Sequence, residues 1–230
     1  MSGRPLGKKT RDEKREETRR LILDTAMDLF FEKGYEQTTT RDILIRSGIL
    51  NGSLYNRFKS KEDILLAIVS EALSDLMATF EVAFPDNRRP ILAFAAPGAV
   101  IVYISSHSTK AAELIYNACR SVAAVDMFLR SYREWYVHIF GCSSERWEDP
   151  VSVMKTSALV GAVGNICGRY SSGLQVPFED SFEVVVRMAS TVSLVPVPDI
   201  SELSSEITAA LDSMDIRMCG YRLSEFPDYR

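Results

Sequence analysis

The chain has 230 residues, 46% hydrophobic and 25% charged, an ordinary balance for a soluble globular protein of one large domain or two small ones. Four cysteines (Cys119, Cys142, Cys167 and Cys219) show no CxxC spacing, which speaks against a zinc knuckle or dithiol redox site and for buried free thiols in a reducing cytoplasm. Charge is divided: residues 1–60 carry 13 Lys/Arg against 9 Asp/Glu (+4), the other 170 carry 14 against 22 (−8), so a basic end and an acidic body meet different partners.

The opening MSGRPLGKKTRDEKREE is charged and has no apolar core, so no secretory signal is visible. Residues 1–17 read as a basic, mixed-charge tail, in which Lys8, Lys9 and Arg11 suit a solvated tail as well as a phosphate-seeking arm. From about 12 to 33 the pattern turns helical, with Ile22, Ala26, Leu29, Phe30 and Lys33 on one face, and Gly34 placed for a left-handed cap. Thr39 with Asp42 three residues on is a variant capping box opening a helix over 40–47, which Ser47-Gly48 ends. A second two-turn helix follows over 51–58. Leu54 and Phe58, four apart, share its inner face, while Gly52 and Asn56 point away. Ser60 with Asp63 starts a long amphipathic helix running to about residue 80.

Two short helices joined by a glycine turn, flanked by longer ones, form a helix-turn-helix pattern. The outward face of the second, Asn51-Gly52-Ser53 with Asn56, is short-chained and sterically open, as a major-groove reader requires. Tyr55, Arg57, Lys59 and Lys61 surround it with groups suited to phosphate. Asn51-Gly52-Ser53 also matches a glycosylation sequon, which carries no weight without an export signal.

Phe30, Gly34, Tyr35, Thr38 and Thr39, then Arg41-Asp42-Ile43, then the run from Gly52 to Glu62 give residues 18–69 a pattern that resembles the TetR family of transcriptional regulators. The resemblance implies an all-α chain, with a three-helix DNA-binding domain at 18–65, a helical effector-binding and dimerisation domain at 66–198, and an extra helix and tail at 199–230. It implies that Thr39, Thr40 and Arg41 touch backbone or a flanking base, that Asn51, Gly52 and Ser53 lie on base edges, and that Tyr55, Asn56, Lys59 and Lys61 hold phosphates of a palindromic operator bound by a homodimer. Three positions depart from the family pattern. Leu50 replaces the usual capping serine, so that Asn51 is left to cap a shifted start; Leu44 replaces a smaller residue; and Arg57 replaces histidine or an aromatic.

The run ILAFAAPGAVIVYI at 91–104 has 14 residues, is interrupted by Pro97-Gly98, and is too short for a membrane span; it reads as a buried helix pair or a kinked core helix. Helices follow over 110–120, 122–140, 150–170 and 179–195, with a further one over 201–216 and loose final residues. Small residues Ala158, Gly161, Gly164, Asn165 and Gly168, with the apolar face Phe182, Val185, Val186, Ala189 and Val192, resemble the family's four-helix dimer interface. Phe128, Tyr132 and Trp135 share a face, and with Tyr103, His107, Tyr116, Asn117 and Arg120 form a candidate pocket for a small, largely apolar effector.

The leading expectation is a cytoplasmic, ligand-responsive repressor without cofactor or metal. With two histidines and no HExxH, GxSxG, phosphate-loop or dinucleotide pattern, an enzyme is the weaker class. The Leu50 departure keeps open a helical ligand-binding or interaction module with weakened DNA binding.

Overall fold

Among the residues described by the computed structural model (10–83, 90–141, 149–197 and 199–229) the chain forms ten α-helices and one short hairpin. Lys8, Lys9, Cys142 and Pro198 lie outside the described residues. The helices are α1 (Arg11–Lys33), α2 (Thr40–Ser47), α3 (Asn51–Tyr55), α4 (Lys61–Ala83), α5 (Pro90–His107), α6 (Thr109–Cys119), α7 (Val122–Phe140), α8 (Pro150–Ser171), α9 (Phe178–Ser193) and α10 (Ile200–Asp212). Two compact units divide between Ala67 and Ile68, within α4 and two residues beyond the expected boundary.

In the first unit α1 begins earlier than the tail assignment of 1–17 allowed. Thr10 and Glu13 form a full capping box, the Thr10 hydroxyl accepting from Glu13 N–H at 3.2 Å and the Glu13 carboxylate from Thr10 N–H at 2.7 Å. The helix ends at Gly34, whose φ of 91° and ψ of 156° are positive-φ but outside the left-handed helical basin expected there. Thr38, fully buried, donates to the Gly34 carbonyl at 2.8 Å and secures that end. Gly48 closes α2 in the left-handed conformation (φ 66°, ψ 12°). Ile22, Ala26, Phe30, Ile43, Leu54 and Ile64 meet in a dry core. Lys33 is not part of it: its ammonium pairs with the Asp42 carboxylate at 2.7 Å.

The second unit is built around α5, which packs against α6, α7, α8, α9 and α10. Of the two readings of the apolar run, a helix pair or one core helix, the single helix holds: it has 18 residues, and its burial among its neighbours is that of a core helix. Proline lacks the N–H that would bond the Ala93 carbonyl four residues back, and its ring crowds that turn. Two side chains of α7 supply donors there. Trp135 Nε1–H donates to the Ala93 carbonyl at 2.9 Å, and the Tyr132 hydroxyl donates to the Phe94 carbonyl at 2.6 Å. These aromatics therefore serve the Ala93 and Phe94 carbonyls in the turn before the proline.

The expected dimer residues divide. A Cβ at Gly164 would sit 2.5 Å from the Cys119 Cβ, and one at Gly168 would sit 2.8 Å from the Tyr116 ring, so both glycines serve close packing of α8 on α6 inside one chain. Phe182, Val185, Val186 and Ala189 are buried against the same core. These six are corrected from partner contacts to internal packing, because α5 takes the apolar face of α9 that was assigned to a second copy. Ala158 and Asn165 are exposed and Gly161 is half-buried with open space before it.

The C-terminus is also corrected. After α10 the chain turns into a hairpin of β1 (Arg217–Met218) and β2 (Tyr221–Arg222), with Cys219 at φ 56° and Gly220 at φ 80°. Two positive φ values at the central positions mark a primed turn, whose twist matches paired strands. Leu223 and Phe226 are buried, the Cys219 thiol donates to the Ile68 carbonyl, and Gly220 N–H donates to Asp75 at 3.0 Å. Asp228 then accepts from the Ser108 and Thr109 hydroxyls at 2.6 and 2.5 Å and from Lys110 N–H at 3.0 Å, at the start of α6.

Burial raises the Asp228 carboxyl pKa, but these donors outweigh burial and hold it below the usual carboxylate range. A depressed folded-state pKa stabilises the fold above the unfolded value and loses that contribution as pH falls through the folded one. Asp228→Asn is expected to cost about 1–2 kcal/mol at neutral pH after allowance for partial exposure. In thermal melts, the gap from the wild type should close below roughly pH 4.

Candidate nucleic-acid interface

The surface formed by α2, its glycine turn and α3 is set by what lies beneath it. Leu54 and Phe58 are buried, which turns Asn51, Gly52 and Asn56 outward; Ser53 is half-buried. The helix is shorter than the expected 51–58. Arg57 N–H bonds the Leu54 carbonyl three residues back, tightening the last turn, and the chain leaves helix there. Arg57 is also redirected. Its guanidinium donates to the Ser53 carbonyl at 3.0 Å and to the Arg15 carbonyl at 3.2–3.3 Å, tying α3 to α1.

Leu50 does not shift the helix start. It occupies the N-cap position itself, provides no side-chain cap, and is 79% exposed. Leu50→Ser is expected to supply the missing cap and raise stability by about 1 kcal/mol, read as an upward shift in the thermal midpoint. Ile45 on α2, 72% exposed, adds a second large apolar group to this surface. Neither was assigned from sequence as a contact residue. An aliphatic residue carries no recognisable binding signal until its exposure is known.

Of the other assigned residues, Arg41, Tyr55 and Lys59 are exposed and Thr40 is half-buried. Thr39 is exposed, but its hydroxyl is used by the cap, donating to Asp42 at 2.6 Å. The Lys33 ammonium and then Thr39 hold the Asp42 carboxyl far below its usual range. Lys61 is a correction. Its ammonium donates to the Tyr35 carbonyl at 2.8 Å and lies 4.2 Å from the centre of the Tyr35 ring, which fixes the start of α4 on the α1–α2 connection. Arg46 makes a bidentate pair with Glu32 at 2.7–2.8 Å, linking α2 to α1.

Residues 22–68 match the family described as bacterial regulatory proteins, tetR family. The matched segment runs from α1 into α4. Among relatives of this chain, the HTH-type transcriptional repressor KstR2 of Rhodococcus jostii is 46% identical over 59 residues, 26% of this chain and 29% of that protein. The fatty acid metabolism regulator protein of Bacillus subtilis is 33% identical over 60 residues, 26% of this chain and 31% of that one. The chain thus spans less than a third of the length of these curated relatives. A TetR-family transcriptional regulator structure from Syntrophomonas wolfei superposes with a TM-score of 0.53 at 20% identity, covering 79% of this chain and 97% of that one, a likeness of fold alone.

The candidate effector residues are dispersed within the second unit. An apolar cavity of about 50 Å³ lies among α4, α5, α7, α8 and α9, with Phe94, Gly98, Phe128, Leu159, Val163 and Val185 in its wall. Of the eight residues assigned to a pocket, Phe128 and Tyr132 line it. Trp135 serves the Ala93 carbonyl. The Tyr103 hydroxyl donates to Asp212 at 2.6 Å, and His107 stacks on Tyr229, so both hold the C-terminal segment. Tyr116 packs on Gly168 with the Arg120 guanidinium 5.7 Å from its ring, and Asn117 donates to the Glu113 carbonyl. None of these six lines the cavity. Cys119 also lines the cavity, and burial pushes its thiol up to about 12, which keeps it neutral. The cavity wall from α4 and α8 had no distinctive sequence signal, since its aliphatic side chains look like any core.

Proposed function

We propose that this chain is a ligand-responsive transcriptional repressor that binds a palindromic DNA site as a homodimer in the cytoplasm and is released by a small, largely apolar effector. The observation that carries the reading is the outward, sterically open face of Asn51, Gly52 and Asn56 over a buried Leu54 and Phe58. Arg41 and Lys59 are exposed cations suited to flanking phosphates, with Tyr55 as a neutral donor. Lys61, committed to Tyr35, is left out of that set. Repressor function is supported by the relatives, one of which is described as a transcriptional repressor.

The homodimer is supported by α8, where Val151, Met154, Ala158, Gly161 and Asn165 follow at three- and four-residue steps on a face beside the one that meets α6. Val151 and Met154 are exposed large apolar groups, as are Val184 and Leu194 on and after α9. A small reader of this kind has few base contacts, and two copies on a symmetric site supply the rest. The effector reading rests on the cavity, and a coupling of roughly 1–3 kcal/mol suffices for a 5- to 150-fold change in DNA affinity.

A band shift on the DNA upstream of its own gene, repeated across salt concentrations, tests the reading. Arg41→Ala and Lys59→Ala are each expected to lower the slope of log affinity against log salt by about 1. Tyr55→Ala should weaken binding with the slope preserved. Unchanged slopes in both cationic variants would remove the phosphate assignment.

A further inference from the structure

The interior cavity has a neighbour. A cleft of about 520 Å³ lies between α4 and α7, with Ser70, Ser74, Arg130 and Glu134 in its wall. Leu73, Met77 and Ser131 line both spaces. The partition is therefore three side chains, one of them a methionine, whose unbranched thioether changes rotamer easily. We propose that the two spaces are one site for a small uncharged amphiphile, its short apolar body inside against Phe94, Phe128 and Val163 and its hydroxyl or carbonyl group at Ser131.

No charged residue lines the interior. Its other hydroxyls are committed, Tyr132 to the Phe94 carbonyl and Thr156 to the Ser152 carbonyl. An ionised group drawn inside would lose its hydration without a partner. The outer cleft favours neither sign. Arg130 and Glu134 stand four residues apart on α7 and present one charge each. Ser131 is the hydroxyl common to both spaces, so a neutral head that donates or accepts one hydrogen bond fits the junction. The interior volume of about 50 Å³, where a single water needs roughly 10–15 Å³, admits a few carbon atoms.

This assignment rests on the ligand-responsive reading above, and the test separates the two. Purified full-length chain is titrated calorimetrically with 1-alkanols from methanol to octanol, and with alkanoates and alkylammonium ions of equal length. Alkanol affinity should rise about fourfold per methylene and then level off as the interior fills. The charged analogues should bind at least roughly tenfold more weakly at each length. Ser131→Ala should lower alkanol affinity roughly two- to tenfold, while Ser205→Ala, exposed on α10 and lining neither space, leaves it unchanged; thermal melts verify that both variants fold.

Absence of alkanol binding, charged analogues that bind as tightly, or indifference to Ser131→Ala would each overturn the site. DNA retention is followed in the same titrations. Alkanol binding with DNA retention unchanged keeps the site and removes the ligand-responsive reading. Release of DNA by a cell metabolite, equal in wild type and Ser131→Ala, keeps that reading and removes the site.

Discussion

Gly52→Leu is expected to make the protein more stable and nearly unable to bind DNA. Gly52 lies within α3, and a Cβ there meets nothing within 4 Å. Nothing inside the chain requires glycine at that position. Glycine in a helix costs about 0.8–1.0 kcal/mol relative to the best helix formers, so leucine should raise the unfolding free energy by about 0.5–1 kcal/mol. The reason for a glycine is then sought outside the chain, in close approach of the α3 backbone to the groove floor. A leucine there would hold the helix away from the bases. A loss of roughly hundredfold or more in affinity, about 2.8 kcal/mol, is expected in titration of a fluorescent duplex, with Gly52→Ala intermediate. Wild-type affinity in Gly52→Leu would place the α3 backbone away from DNA.

Trp135→Phe is expected to destabilise the second unit by about 2–4 kcal/mol. The indole N–H is a donor to the Ala93 carbonyl, which Pro97 deprives of its helical partner, and the side chain is 3% exposed. Leaving a buried acceptor unpaired costs about 1–3 kcal/mol, and the smaller ring adds a packing loss of about 1 kcal/mol. Pro97→Ala restores a backbone N–H at the right place, so the double variant should lose less than the sum of the single ones. A coupling of at least about 0.5–1 kcal/mol in denaturant titrations would establish the link. Strict additivity would separate the tryptophan from the proline. The same experiment bears on the pocket first read around Trp135, because a residue held for a backbone carbonyl has little freedom to greet a ligand.

The first unit was legible because its signals are local. Caps at Thr39 and Ser60, the stop at Gly48 and the Leu54–Phe58 spacing each act within a few residues, and each is present. What was misread there turned on distant partners: Arg57 reaches Arg15 and Lys61 reaches Tyr35, across sequence gaps no periodicity encodes. The second unit was legible in its helix positions and not in its faces. A stripe of small residues on α8 reads the same whether a neighbouring helix or a second chain fills it, and Cys119 and Tyr116 fill it at Gly164 and Gly168. The C-terminal hairpin carried a signal in Cys219-Gly220, overshadowed by the helical run before it.

The decisive measurement is the sequence preference of the purified chain on random duplex DNA, taken for the wild type and for Asn51→Ala/Asn56→Ala at several salt concentrations. The expected result is enrichment of a two-fold symmetric sequence by the wild type, with affinity falling linearly in log–log against salt. The double variant should lose at least roughly tenfold of its preference for that sequence while keeping its non-specific binding. Enrichment of no sequence, or a preference untouched by removing both asparagines, would contradict a DNA-reading role for this face.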